Sequence, residues 1–208
     1  MAAVRSSKRA RLEAQVPEAE TDEEVLRGET DEEVDFEHLC GRIVKVFTTS
    51  CKPNYSMPWQ MRRQAKSTST GFVISGKRII TNAHCVAHAT AVQIRRQGTA
   101  RKIAATIVHC GHECDLAILT VDDDEFWAAV EASPLPLGGL PELQDQVCVV
   151  GFPTGGDNIC ITAGVVSRLD MQVYSHSGQN LLAIQIDAAI NGGNSGGPAL
   201  HHGSVIGE

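Results

Sequence analysis

From Arg42 to Gly207 the chain is cut into eleven short runs rich in Ile, Val and Thr, and this pattern excludes most folds at once. The first six are Arg42 to Thr49, Thr70 to Ser75, Arg78 to Thr81, Ala91 to Arg95, Lys102 to Val108 and Leu116 to Thr120. Asp122 to Glu131 reads as a short helix, with acids at its positive end and Phe126, Trp127 and Val130 on one face. A cluster of breakers follows, Pro134, Pro136, Gly138, Gly139 and Pro141, and reads as a linker. Beyond it come Gln146 to Phe152, Ile159 to Arg168, Leu181 to Asp187, Pro198 to His201 and Ser204 to Gly207. Many short strands with few helices predict an all-β chain of two sandwich- or barrel-like units, the second with five strands.

The 208 residues, 42% of them hydrophobic, suffice for one core or two small ones, and no apolar run reaches membrane-spanning length. The net charge of -7 lies wholly in residues 1 to 39, with five Lys/Arg against twelve Asp/Glu; the remainder balances. A neutral globular part argues against nucleic acid as the partner, since phosphate binding needs a basic face. The first 39 residues are too poor in apolar groups to offset their ordering entropy, so a disordered basic-then-acidic tail is expected there. Its cluster Arg5, Lys8, Arg9 and Arg11 suits a nuclear import signal, with an organellar transit peptide as the alternative. Seven cysteines at irregular spacing, with no secretory signal ahead of them, favour a reducing, intracellular compartment over a disulfide framework.

The stretch from Asp187 to Pro198, DAAINGGNSGGP, carries the chemistry. Glycines on both sides of Ser195 permit positive φ and close approach of another chain. The N–H groups of Gly193 and Ser195 can then converge as an oxyanion hole needs, about 2.7 to 3.1 Å from the developing charge. A Gly-rich turn with an incidental serine is the plain alternative. A serine needs a base and a group to orient that base. His84, where the strand Arg78 to Thr81 gives way to a small-residue turn, and Asp115, directly before the apolar LAIL, are the candidates. Singly, each also reads as a turn residue or a cap. Together, in the order His, Asp, Ser and split between two β units, they predict a site in the cleft between the units. His109, Cys110, His112 and Cys114 have the side chains for zinc, but neighbours on a strand face opposite sides, so no metal is expected there.

The motifs ITNAHCV, DLAIL, VVGFPTGGD, TAGVVSR and QIDAAINGGNSGGPA together resemble the protease domain of the HtrA/Deg (protease Do-like) serine proteases of plant and algal type, over roughly Cys40 to Glu208. The resemblance implies two chymotrypsin-like six-stranded β-barrels, at 40–131 and 146–208 with a linker at 132–145, the second apparently truncated by a strand and without a PDZ domain. It implies His84 as general base, Asp115 as its orienter and Ser195 as nucleophile, with an oxyanion hole from Gly193 and Ser195 helped by Asn194. It places Ala189 beside Ile190 at the base of the substrate pocket, which suits small or medium aliphatic side chains and offers no counter-charge to a basic one. It implies no cofactor and no metal, unfolded or damaged polypeptides as substrates, and ATP-independent cleavage. The family oligomer is a homotrimer, to which the stretch with Tyr55, Pro58 and Trp59 is a candidate contributor. A chaperone-like or interaction module that keeps the triad residues without catalysis is the competing reading. Cys85 resembles the position of a disulfide in secreted relatives, whose partner would fall near Ser69.

Overall fold

The computed structural model describes residues 39–130 and 134–208, so the charged tail and its basic cluster lie outside the described residues. The first six runs form β1 (Ile43–Ser50), β2 (Ala65–Ile74), β3 (Arg78–Asn82), β4 (Ala89–Arg96), β5 (Ile103–Gly111) and β6 (Leu116–Val121). They close into a barrel in the order β1-β2-β3-β6-β5-β4, every neighbour antiparallel. Closure leaves no edge unpaired. The interior is filled by Val44, Val46, Val73, Ile79, Ile94 and Leu119, each at most 1% exposed. A one-turn helix, α1 (Ala83–Val86), follows β3, and α2 (Asp124–Val130) caps the barrel with Phe126, Trp127 and Val130 buried as its pattern predicts. Asp123 starts α2 by accepting the Phe126 N–H at 2.8 Å, and the Trp127 indole donates to the Val121 carbonyl at 2.8 Å.

The remaining runs form β7 (Gln146–Gly151), β8 (Cys160–Val173), β9 (Asn180–Ile186), β10 (Ala199–His201) and β11 (Ser204–Gly207), a five-stranded sheet in the order β11-β10-β7-β8-β9. Its core is partly borrowed: Ile43, Phe72 and Ile74 of the barrel strands pack with Val150, Phe152, Leu200 and Val205.

Three observations go beyond the expected runs. β2 begins at Ala65, five residues ahead of Thr70. β8 runs five residues past Arg168, because Leu169 to Val173 pair with Asn180 to Ile184 in a ribbon with no fully buried residue, its end at Met171 to Val173 exposed on both faces. Such a ribbon has no reason to alternate polar and apolar residues. The Pro/Gly stretch is also more than a tether. Leu135 is buried and donates its N–H to Val73, while Gly138 and Val205 tie the same stretch to β11, so it is seated on both halves.

Candidate active site

The barrel builds one side of the site. At the end of β3 the chain turns into α1, and the Ala83 N–H donates to the Asp115 carbonyl at 2.8 Å. The His84 N–H donates to Asp115 Oδ1 at 2.7 Å and the ring Nδ1–H to Oδ2 at 2.6 Å. Asp115 sits just before β6 with φ 58°, a left-handed conformation that aspartate tolerates better than most residues, and four hydrogen bonds with β3 and α1 hold it there. Its side chain is only 4% exposed. A donor at Nδ1 leaves Nε2 of His84 as an acceptor, and the Cys85 thiol lies 3.5 Å from it.

The sheet half supplies the serine. Thr70 of β2, fully buried, is the anchor: its N–H donates to the Ser195 carbonyl at 2.9 Å and its hydroxyl to the Gly193 carbonyl at 2.8 Å, while that hydroxyl accepts from the Phe152 N–H. This approach is why glycine follows the serine. Gly196 has φ 80°, and a Cβ there would stand 2.3 Å from the Thr70 carbonyl oxygen. Gly193 has φ 97°, and a Cβ there would stand 2.6 Å from the Phe152 carbonyl oxygen. The Gly192 carbonyl accepts from the Thr154 N–H at 2.7 Å, so in a trans peptide the Gly193 N–H points the opposite way.

His84, Asp115 and Ser195 line one cleft of about 600 Å³, together with Asn194 and Ile190. Asn194 is buried, and its Oδ1 meets no donor among the described residues. Ala189 and Gly193 are not among the lining residues; Ala189 is exposed and its carbonyl accepts from Thr162 at 3.0 Å. A second cleft, with Phe47, Lys66 and Lys102 in its wall, contains no histidine or carboxylate and so no acid–base pair.

The sequence reading missed three groups in the site. Tyr174 donates its hydroxyl to Asp115 Oδ2 at 2.5 Å, and His176 stacks on the His84 ring at 4.5 Å between centroids. Both follow β8, in the ribbon that the apolar pattern does not mark; the chain's scarcity of tyrosine was the available signal. The third is Glu208, whose residue as a whole is exposed but whose carboxyl turns in to accept from Asn82 at 2.7 Å. Burial and then the charge of Asp115 push that carboxyl up to about 8, against the pull of the Asn82 hydrogen bond. Burial likewise raises Asp115, but hydrogen bonds from Tyr174 and then from His84 outweigh it, leaving the carboxyl below its usual value. Burial pushes the Cys85 thiol up to about 11, with Ser69 close by as expected, and all seven cysteines are free thiols.

Ligand atoms of His84, Asp115 and His176 lie within 4.8 Å of one another, although Asp115 and His84 are already committed to each other. His109, Cys110, His112 and Cys114 form no such group among the described residues.

A model of the trypsin-like peptidase domain matches residues 69–207. The chain belongs to the trypsin-like peptidase family. Relatives of this family member include the putative protease Do-like 3, mitochondrial, of Arabidopsis thaliana, 56% identical over 79% of this chain and 29% of the relative. The chloroplastic protease Do-like 2 of the same plant is 51% identical over 79% of this chain and 27% of its own length. The chain thus spans under a third of the length of these curated relatives. Among solved structures, the active form of the Rv3671c protease from M. tuberculosis superposes with a TM-score of 0.64 at 26% identity, over 80% of this chain and 68% of that one. The HtrA-type protease AlgW shares the fold, with a TM-score of 0.61 at 23% identity over 80% and 55%. The HtrA/Deg resemblance and the chymotrypsin-like all-β class therefore stand, as one closed barrel and one half-barrel sheet.

Proposed function

We propose that the chain is the catalytic part of a serine endopeptidase of Do-like type, cleaving peptide bonds in unfolded or damaged proteins without ATP. The observation that carries this reading is the hydrogen-bonded pair of His84 and buried Asp115 in the same cleft as Ser195. Ser195 Oγ attacks the substrate carbonyl carbon as His84 Nε2 takes its proton. Asp115 keeps the ring proton on Nδ1 and stabilises the imidazolium. The N–H groups of Gly193 and Ser195 receive the oxyanion, a role favoured by the way Thr154 draws the Gly192 carbonyl aside. Collapse of the tetrahedral species returns the proton to the leaving amine and leaves an acyl-enzyme for water to hydrolyse.

Leu116, Leu182 and Ile190, all exposed, line the cleft, and this apolar wall suits extended, unfolded segments with aliphatic side chains, Ile190 facing the specificity pocket with Ala189 adjoining it. A homotrimer is the proposed assembly; Tyr55 and Trp59 are exposed on the loop between β1 and β2. Mitochondrion or chloroplast is the proposed compartment, on the names of the relatives; those names lend nothing to the nuclear reading.

The test is labelling by a fluorophosphonate, which needs an activated hydroxyl. Stoichiometric modification of Ser195, lost in Ser195→Ala and in His84→Ala, is the expected result. A folded chain that stays unlabelled while it holds unfolded protein in solution would instead identify a non-catalytic, chaperone-like module.

A further inference from the structure

The hairpin between β8 and β9 reaches the catalytic pair from the sheet half, and its contacts are with the reacting side rather than with a packing core. We propose that Tyr174 is a positioning residue of the active site, its hydroxyl locking the Asp115 carboxylate that in turn orients His84.

The delivery is fixed by backbone. Directly after β8, the Tyr174 N–H donates to the Gln179 carbonyl at 2.8 Å and its own carbonyl accepts from the Gly178 N–H at 2.7 Å, so the tyrosine stands at the neck of a closed turn. From there the ring crosses to the barrel half. His176, one residue further along the turn than Ser175, lies flat on the His84 ring with 6° between planes, and the Tyr174 ring packs against His176 at 5.6 Å. One short hairpin therefore contacts both members of the pair.

The chemistry follows from counting donors on a buried carboxylate. Oδ1 of Asp115 accepts from the His84 backbone, while Oδ2 accepts from both the His84 ring and Tyr174. Without the phenol, Oδ2 would keep a lone pair unmatched away from water, and the carboxylate would be free to rotate off the imidazole plane. The phenol also draws charge from Oδ2, moderating how strongly Asp115 favours an imidazolium. It can do so near neutral pH. Burial and then the bond to Asp115 push the Tyr174 hydroxyl well above its usual range, so it stays a donor, while Asp115 stays ionised. The other titratable groups around the pair are Cys85 on α1, Cys110 and Cys114 on the β5–β6 hairpin, His176, and Glu208 after β11.

This inference rests on the peptidase reading, and the two can fail separately. Tyr174→Phe keeps the ring and removes only the hydroxyl. The full chain carrying it should label with fluorophosphonate about tenfold more slowly at neutral pH, the loss of one charge-assisted hydrogen bond. The acid limb of its rate profile should move to higher pH, because a carboxylate with one donor fewer holds the imidazolium longer. The low-field NMR signal of the His84 Nδ1 proton should shift further downfield. If wild type does not label but this signal still moves in the variant, Tyr174 positions the pair and the hydrolase reading alone falls. An unmoved signal together with an unmoved acid limb, whatever the labelling rate, would overturn the proposal and reduce Tyr174 to a packing residue.

Discussion

The two halves of the molecule solve the edge problem differently. The barrel of β1 to β6 pairs every strand on both sides and fills its own interior, whereas the sheet of β7 to β11 does not close, its β11 edge being only partly covered by residues 136–138, and it shares a core with Ile43, Phe72 and Ile74 of its neighbour. The closed half carries the hydrogen-bonded pair His84 and Asp115, the proposed base and its orienter. The open half carries Ser195, the proposed nucleophile, on a glycine turn, and the hairpin with Tyr174. Two of the polar links between the halves start from buried barrel residues. Thr70 bonds to Gly193, Ser195 and Phe152, and buried Lys45 donates to the Gly156 carbonyl at 2.5 Å and to Asp157 at 3.0 Å.

The sharpest break in this comparison is Asp115→Asn. The amide presents an N–H to Nδ1, forces the ring proton onto Nε2 and removes the base, so labelling of Ser195 should fall by about four orders of magnitude. The melting temperature, read alongside by calorimetry, should change far less. Next in size is the contrast between cores. Leu119→Ala, fully inside the barrel, should cost about 4 kcal/mol in urea unfolding, and Leu200→Ala, in the shared core of the open sheet, about 2 kcal/mol, since an open sheet relaxes around a cavity more easily. Equal losses would show that openness brings no plasticity. The smallest effect is at the seam. Arg95 first and then Lys45 pull the Asp157 carboxyl down to about 2. A depressed acid contributes stability in full above its unfolded value and loses it as pH falls through the folded one, so this contribution fades between about pH 4 and pH 2. Asp157 is exposed and water screens the pair, so the effect is slight. Asp157→Asn should flatten that part of a stability–pH curve and leave the rest unchanged.

All eleven strands were legible because half-buried β-structure writes itself as short β-branched runs. The Gly-rich turn, His84 and Asp115 were legible because a strand end with small residues and an acid beside an apolar run are local patterns. Tyr174, His176 and Lys45 were not. Tyr174 and His176 sit in the turn that joins β8 to β9, with no core to impose a period, and Lys45 lies mid-strand among Val44, Val46 and Thr48, where its buried ammonium depends on a carbonyl and a carboxylate 111 and 112 residues away. Ala189 is a different case: only the resemblance puts it at the substrate pocket, and it is exposed beside Ile190, next to the residues that line the cleft.

Taken alone, the residue order determined the strand count, the break between the halves and which side chains have the chemistry of a nucleophile, a base and an orienting acid. Those are consequences of local propensity, spacing and functional-group type. Tertiary structure decided that the barrel closes and the sheet does not, that Thr70 anchors the serine turn, and that a distant phenol completes the hydrogen bonding of Asp115. Each depends on how far apart folded segments come to rest, a distance that no local pattern encodes.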